Sequence, residues 1–171
     1  MPRTPIQAVA FLFGFWLALW LSPFSAGASE DPARAVFADL ERTLHDAVNE
    51  VRASRHLIPL QRSTELDAVA RAHSLDMARR SYLAHESPEG QNAIDRLAGG
   101  RIDGFTLAAE NIGSTDRPNP SQEILSHWIQ SPIHRQNLFA PPFNTTGIGI
   151  ARSASGALIV TQLYLTYPRG D

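Results

Sequence analysis

His85, Glu110 and His134 are the side chains of this sequence whose types could do chemistry together. His85 lies in Ala84-His85-Glu86-Ser87-Pro88-Glu89-Gly90, and Glu110 begins Glu110-Asn111-Ile112. His134 lies in Trp128-Ile129-Gln130-Ser131-Pro132-Ile133-His134-Arg135-Gln136-Asn137. Two imidazoles and a carboxylate can hold zinc and leave one position for water. They can also form an acid–base pair, in which the carboxylate orients one imidazole and favours its protonated form. A third arrangement is unreactive: the same groups satisfy one another through waters in a polar cavity. Neither His-x-x-x-His nor His-Glu-x-x-His occurs. Roughly 25 residues separate neighbours, so only the fold could bring them together. Ser131 precedes His134 by one helical turn, which allows a Ser131–His134–Glu110 relay, although no Gly-x-Ser-x-Gly turn accompanies it.

The elements that must position these residues are legible from periodicity. Val36, Leu40, Leu44, Val48 and Val51 recur every three to four residues from Asp31-Pro32 onward, with charges on the remaining face, and predict a first helix. Pro59 in Leu57-Ile58-Pro59-Leu60 ends it. A second helix is predicted from Ser63 or Thr64 to Tyr82, with Thr64 as its cap and Asp67 as the acidic partner. Leu66, Val69, Ala70, His73 and Met77 form its buried stripe, and His73 reads as a core histidine satisfied by a hydrogen bond. Loop and then a short helix follow between His85 and Arg96, with a turn at Gly99-Gly100 and Gly104. Leu107 to Ile112 fits a strand or an extended loop, and 114–120 reads as loop. Asn119 is expected to cap a helix that begins at Pro120 and carries Ile124, Leu125 and Trp128. Ser131-Pro132 stops it, and His134 to Leu138 forms one more short helix.

Gly147 to Ala151 and Leu158 to Tyr164 are β-rich runs joined by Ser153-Ala154-Ser155-Gly156, the pattern of a hairpin. Alternation puts Leu158, Val160, Gln162 and Tyr164 on one face. Ile159, Thr161, Leu163 and Thr166 fall on the other, with a phase slip at the end. Helices first and paired strands late give an α+β fold with helices on a small antiparallel sheet.

The pieces resemble, in combination, the bacterial branch of the CAP superfamily: cysteine-rich secretory proteins, antigen 5 and pathogenesis-related class 1 proteins. The resemblance rests on His85-x-Ser87-Pro88-x-Gly90, Asp95-Arg96-Leu97, Glu110-Asn111-Ile112, Trp128-x-x-Ser131-Pro132-x-His134-Arg135-x-Asn137, Gly147-x-Gly149 and Gln162-x-Tyr164, with Asn49-x-x-Arg52 and Leu57-x-Pro59-Leu60 near the start. It implies an α-β-α sandwich over residues 38–167, after a lead-in at 29–37 and before a tail at 168–171. It also implies that the two histidines and Glu110 line one cavity, with Asn111 and Ser131 beside them. The superfamily's further cavity glutamate, three residues after the helix tryptophan, is Ser131 here, which weakens a metal set of His85, His134 and Glu110. The implied function is extracytoplasmic binding of a small molecule, lipid or envelope glycan by a monomer, with zinc or another divalent metal as the cofactor to expect. A hydrolase using His85, Glu110 and His134, and a non-catalytic envelope scaffold, are the alternatives. Arg96 and Arg135 are expected to hold loops through ion pairs or carbonyl contacts.

Composition limits these readings. The chain has 171 residues, 43% of them apolar, enough for one domain with its own core. Net charge is −2, all 15 basic residues are Arg, and no basic run occurs, so a nucleic-acid partner is not expected. Ala8 to Leu21 is an apolar run after Arg3, followed by Ala26-Gly27-Ala28. This predicts a secretory signal peptide over 1–28, cut after Ala28, and hence a secreted or periplasmic protein. Membrane association would come only through an uncleaved leader. There is no cysteine, so no disulfide contributes, unlike in most eukaryotic members of the superfamily.

Overall fold

The computed structural model describes residues 32–168. The expected leader and its cleavage point lie outside that range. No helix among the described residues is long and apolar enough to cross a membrane.

The first helix, α1 (Pro32–Ala53), follows the predicted apolar spacing: Leu44 and Val48 are fully buried, while Val36 near its start is exposed. Its charges do not all face solvent, because Glu41 and Arg52 are fully buried too. Arg52 donates Nε to Ile58 O, Nη1 to Leu138 O at 2.8 Å and to Ala140 O, and Nη2 to Phe143 O. One guanidinium thus ties the end of α1 to the chain just after it and to the distant stretch 138–143 through carbonyl oxygens. Asn49 accepts from Leu60 N and donates to Leu60 O, fixing the chain after the Pro59 break.

A two-residue strand β1 (Gln61–Arg62) leads into α2 (Thr64–Arg80). Ser63, not Thr64, is the cap: it is extended, and its hydroxyl accepts from Leu66 N at 3.2 Å. Asp67 is not a capping-box partner. Its carboxylate accepts from Ile148 N at 2.8 Å and from Arg62. The expected stripe of Leu66, Val69, Ala70, His73 and Met77 is buried. The helix α3 (Ala93–Gly99) opens with a capping box between Asn92 and Asp95.

Strand β2 (Leu107–Thr115) is longer than expected and takes in Ser114 and Thr115 from the segment read as loop. Helix α4 (Pro120–Gln130) starts where Pro120 predicts, but the Asn119 side chain makes no capping bond. Helix α5 (Pro132–Leu138) follows directly. The hairpin is present as β3 (Thr145–Arg152) and β4 (Leu158–Thr166).

The sheet order is β1-β3-β4-β2. β4 is central and antiparallel to both β2 and β3, whereas β1 joins β3 in parallel, so the sheet is mixed rather than purely antiparallel. Both faces are covered. Leu158, Val160 and Tyr164 pack with α1, α4 and α5, around Leu44, Trp128 and Leu138. Ile159, Leu163 and Leu165 face α2 and α3, with Met77, Leu66 and Leu97. The alternation continues through Leu165, so Thr166 does not join the α2 face and the expected phase slip is absent. This is the α-β-α sandwich.

Gly147 and Gly149 explain how closely α2 approaches the sheet. A Cβ on Gly147 would stand 2.3 Å from Leu66 C, and one on Gly149 only 2.0 Å from Arg71 N. Helix backbone therefore lies directly on strand backbone, and any side chain at either position would drive them apart.

Candidate functional site

The site lies along β2, an outer strand of the sheet, where α3, α5 and the loop after α2 converge. Ser81 ends α2 in the left-handed conformation, at φ 58°, and the chain turns away towards His85. His73 holds this loop: its Nε2 pairs with Ala84 O at 3.1 Å, the hydrogen bond expected of a core histidine. Burial pushes the His73 pKa down, which favours the neutral ring. Arg96 holds the next peptide, donating Nη2 to His85 O at 3.0 Å and Nη1 to Gln91 O at 2.9 Å.

Glu110 sits opposite Leu163 of β4 and is nearly buried. One carboxylate oxygen, Oε1, pairs with His85 Nδ1 at 2.8 Å, and the other, Oε2, accepts from Arg96 Nη2 at 2.7 Å. His85 and Glu110, 25 residues apart, therefore meet as the sequence suggested. The hydrogen bond to Glu110 raises the His85 pKa against the opposing effect of burial. The exposed side of that imidazole keeps Nε2 free of Glu110, since Nδ1 makes the bond.

His134 arrives on α5. Asn111 donates to His134 O at 3.0 Å, and Asn137 donates to Glu110 O and to Asn111 Oδ1 at 2.9 Å, so α5 is stitched to β2 through two amides. The network continues inward: Asn111 donates to the Tyr164 hydroxyl, which donates to Gln162 Oε1 at 2.7 Å. The His134 pKa is pushed down, first by desolvation and then by the charge of His85. The two imidazoles thus sense one another but are driven in opposite directions. One tends towards imidazolium beside a carboxylate, the other towards the neutral ring.

Two arrangements that the residue types allow are not formed. Ser131 occupies the cap position of α5 without a side-chain capping bond, and Glu110 bonds His85 and Arg96 rather than His134. A Ser131–His134–Glu110 relay is therefore absent. The metal set of His85, His134 and Glu110 is not assembled either. Among the described residues no group of three or more His, Cys, Asp or Glu is placed to hold a metal ion. The reason is Arg96: its guanidinium occupies one oxygen of Glu110, and a cation there opposes a second cation by like-charge repulsion. As placed, the two oxygens of Glu110 are engaged by His85 and by Arg96.

Sequence reasoning placed Arg96 as a loop-holding residue, which it is, and missed that it is also Glu110's ion-pair partner. Its side chain is only 10% exposed, yet Nε is buried with no hydrogen-bond partner. Arg135 likewise holds a carbonyl, Ile129 O. Arg96 also lines a cleft of about 720 Å³ between α2 and α3. His73 and Ser87 line it too, but His85, Glu110 and His134 do not.

This architecture and motif set define a class, and comparison with known proteins agrees. Residues 45–164 match the family model described as "CAP: Cysteine-rich secretory protein family". The chain belongs to the CAP family. It is 31% identical over 125 residues to the uncharacterized protein YkwD of Bacillus subtilis (strain 168), covering 73% of this chain and 46% of that protein. Its structure is similar to an extracellular protein containing an SCP domain from Bacillus anthracis str. Ames, with a TM-score of 0.70 and 28% identity over 80% of this chain and 44% of that one. An outer surface protein from Borrelia burgdorferi shares the fold, with a TM-score of 0.68 at 18% identity, covering 76% of this chain and 94% of that one. This chain spans less than half the length of the two Bacillus proteins.

Proposed function

We propose that this domain works outside the cytoplasm as a binding module for a component of the cell envelope, a glycan, lipid or other small molecule. The observation that carries this reading is the state of Glu110. Both of its oxygens are engaged, by His85 at 2.8 Å and Arg96 at 2.7 Å. A carboxylate held between two donors in this way is poorly placed to take a proton from a substrate. It instead anchors the His85 loop and, through Arg96, helix α3 to β2, and α3 with α2 walls a preformed cleft beside the site; ligand sites are usually preformed concavities of this size. The extracellular SCP-domain protein of Bacillus anthracis and the leader expected at 1–28 support the location. Native mass spectrometry of protein recovered from its own periplasm or medium tests the reading. A retained ligand mass, lost on denaturation, is the expected result. Bare protein from every preparation, with no envelope extract shifting its melting temperature, would overturn it.

A hydrolase is the second reading, and one observation favours it. Glu110 holds His85 Nδ1 at 2.8 Å and leaves Nε2 on the exposed side of the ring, as a carboxylate orients a catalytic imidazole, and burial pushes the His134 pKa the other way. His85 would then be the acid and His134 the base. Turnover of an envelope substrate that disappears in His134→Ala, with the melting temperature unchanged, would establish it over the binding reading.

A further inference from the structure

Helix α5 has a second face that the site on β2 does not use. Pro132, Arg135, Gln136 and Phe139 form one stripe of it, at i, i+3, i+4 and i+7, while Asn137 on another face reaches β2. With Arg55, Ala140 and Pro141 this stripe lines a cleft of about 520 Å³. None of His85, Glu110 and His134 lines it. The cleft is preformed, because buried Arg52 holds the carbonyls of Leu138, Ala140 and Phe143 and fixes this stretch against the end of α1. It is also shallow: Phe139 and Ala140 are half-buried, and the rest of the lining is exposed. Ile133 stands beside the stripe, 72% exposed.

The charge on this face has one sign. The chain carries a formal −2, yet no Asp or Glu occurs from Val51 to Thr64 or from Ile124 to Gly170. Every lining residue belongs to one of those two stretches. Among the described residues neither Arg55 nor Arg135 has a carboxylate in ion-pair contact, and Glu50, the carboxylate nearest in sequence to Arg55, pairs with no cation. Both guanidiniums are nonetheless held in place. Arg55 lies over the Phe139 ring, 4.0 Å from its centroid, and Arg135 donates Nη1 to Ile129 O at 3.2 Å. Their remaining N–H groups have no protein acceptor among the described residues. A flexible surface arginine loses side-chain entropy when it binds, whereas these two are ordered before a partner arrives.

We infer that this face docks an acidic segment of a partner protein, its carboxylates at Arg55 and Arg135 and an aliphatic or aromatic side chain on Phe139 beside Ile133. The planar guanidinium fork matches a carboxylate, and the half-buried ring gives the neighbouring side chain an apolar seat. The inference does not depend on the binding reading above, because the two surfaces are separate. A small free anion fits poorly: it buries little apolar surface in so open a cleft, and each exposed ion pair contributes only about two- to fivefold in affinity. A bilayer also fits poorly. Surfaces that hold anionic lipid carry about four to eight clustered basic residues or a second strong anchor, and this one has two arginines and an isoleucine. A second copy docking through the same face would set arginines against arginines, since a two-fold contact pairs a patch with itself.

The test is an array of end-blocked synthetic heptapeptides probed with the exported protein. Two positions of each peptide are Asp, Glu, Asn or Gln, and the positions beside them are Leu, Phe, Trp or Ser. Acidic peptides with an apolar neighbour should be retained, and their amide counterparts should bind about tenfold more weakly, the worth of two exposed ion pairs. Calorimetry with the best peptide should show binding that weakens as ionic strength rises. Arg55→Glu should cost about tenfold or more with the melting temperature unchanged, because Arg55 is exposed and its guanidinium bonds no backbone. Gln136→Glu, an independent change at the exposed lining, should weaken binding as well. Arg79→Glu alters net charge as Arg55→Glu does, at an exposed position on α2, and should leave binding intact. An array in which no acidic peptide exceeds its amide counterpart would overturn the inference, as would equal losses in Arg79→Glu and Arg55→Glu. So would binding only to anionic phospholipid vesicles, which gives the face to a membrane, or a dimer in sedimentation that Arg55→Glu dissociates, which gives it to a second copy.

Discussion

Replacing Glu110 by Gln removes one charge and changes little else in shape. In the structure that charge stands between a largely buried guanidinium and an imidazole, at 2.7 and 2.8 Å. Removing one partner of a buried pair costs more than the pair is worth, about 3–5 kcal/mol, because the other charge stays buried without compensation. Arg96 retains the carbonyls of His85 and Gln91, which puts the expected loss at the lower end, about 3 kcal/mol. For a domain of this size that is roughly 10–15 °C in melting temperature. The pH dependence should change as well. His85 is held above its ordinary value in the fold by its bond to Glu110. Its protonation therefore adds stability that is complete below about pH 6.5, its unfolded value, and is lost as pH rises through the higher folded value. In Glu110→Gln that slope should flatten, and the His85 ring should titrate at lower pH by NMR. Thermal unfolding monitored by circular dichroism between mildly acidic and mildly basic pH reads both effects. A variant that melts with the parent, or that keeps the parent's slope, would refute the reasoning that Glu110 works as a clamp.

Gly149→Ala should cost about 3 kcal/mol or more in chemical denaturation, because its Cβ would stand 2.0 Å from Arg71 N and the helix must move. Zinc or a chelator should leave the melting temperature of the parent unchanged, since Arg96 holds the oxygen a third ligand would need; a zinc-induced rise would show that the guanidinium swings away. N-terminal sequencing of the exported protein should begin at Ser29, and full-length protein in the membrane fraction would contradict cleavage after Ala28.

The parts of this fold that could be read in advance are those set by local spacing. The buried stripe of α2, the Pro120 start of α4, the break at Ser131-Pro132 and the β3–β4 hairpin all follow from residues within one or two turns of one another. His73 was legible for the same reason: its partner, Ala84, lies just beyond its own helix. The site was legible only as a set of candidates. His85 and Glu110 are 25 residues apart, and Arg96 stands between them in sequence as an ordinary loop-holding arginine. Nothing in its spacing reveals that it takes the second carboxylate oxygen of Glu110. The Asn111–Asn137 contact, which sets the distance of α5 from β2, likewise joins segments 26 residues apart.

The misread charges share one physical origin. β1 is two residues long, so beyond Thr146 strand β3 has an open edge. Its outward N–H groups at Ile148 and Ile150 need acceptors, since buried backbone donors are rarely left unpaired. Asp67 accepts from Ile148 N at 2.8 Å and Glu41 from Ile150 N at 3.2 Å. Both carboxylates are then buried, and Arg62 and Arg71 close over them, at 2.9 and 2.5 Å from Glu41. An amphipathic reading of α1 puts Glu41 on the charged face, and a capping reading of α2 gives Asp67 to the helix end, because each treats its helix as isolated. The demand that overrides both comes from the sheet edge, which exists only once β1, β3 and β4 have assembled. At the opposite edge of the sheet it is Asn137 that meets the backbone, donating to Glu110 O on β2, while the Glu110 carboxylate accepts from Arg96 and pairs with His85. Charged residues in this fold go where the tertiary structure leaves backbone or side-chain partners unmet, and that is why the local pattern gave the helices and strands but not the partners of these buried carboxylates and arginines.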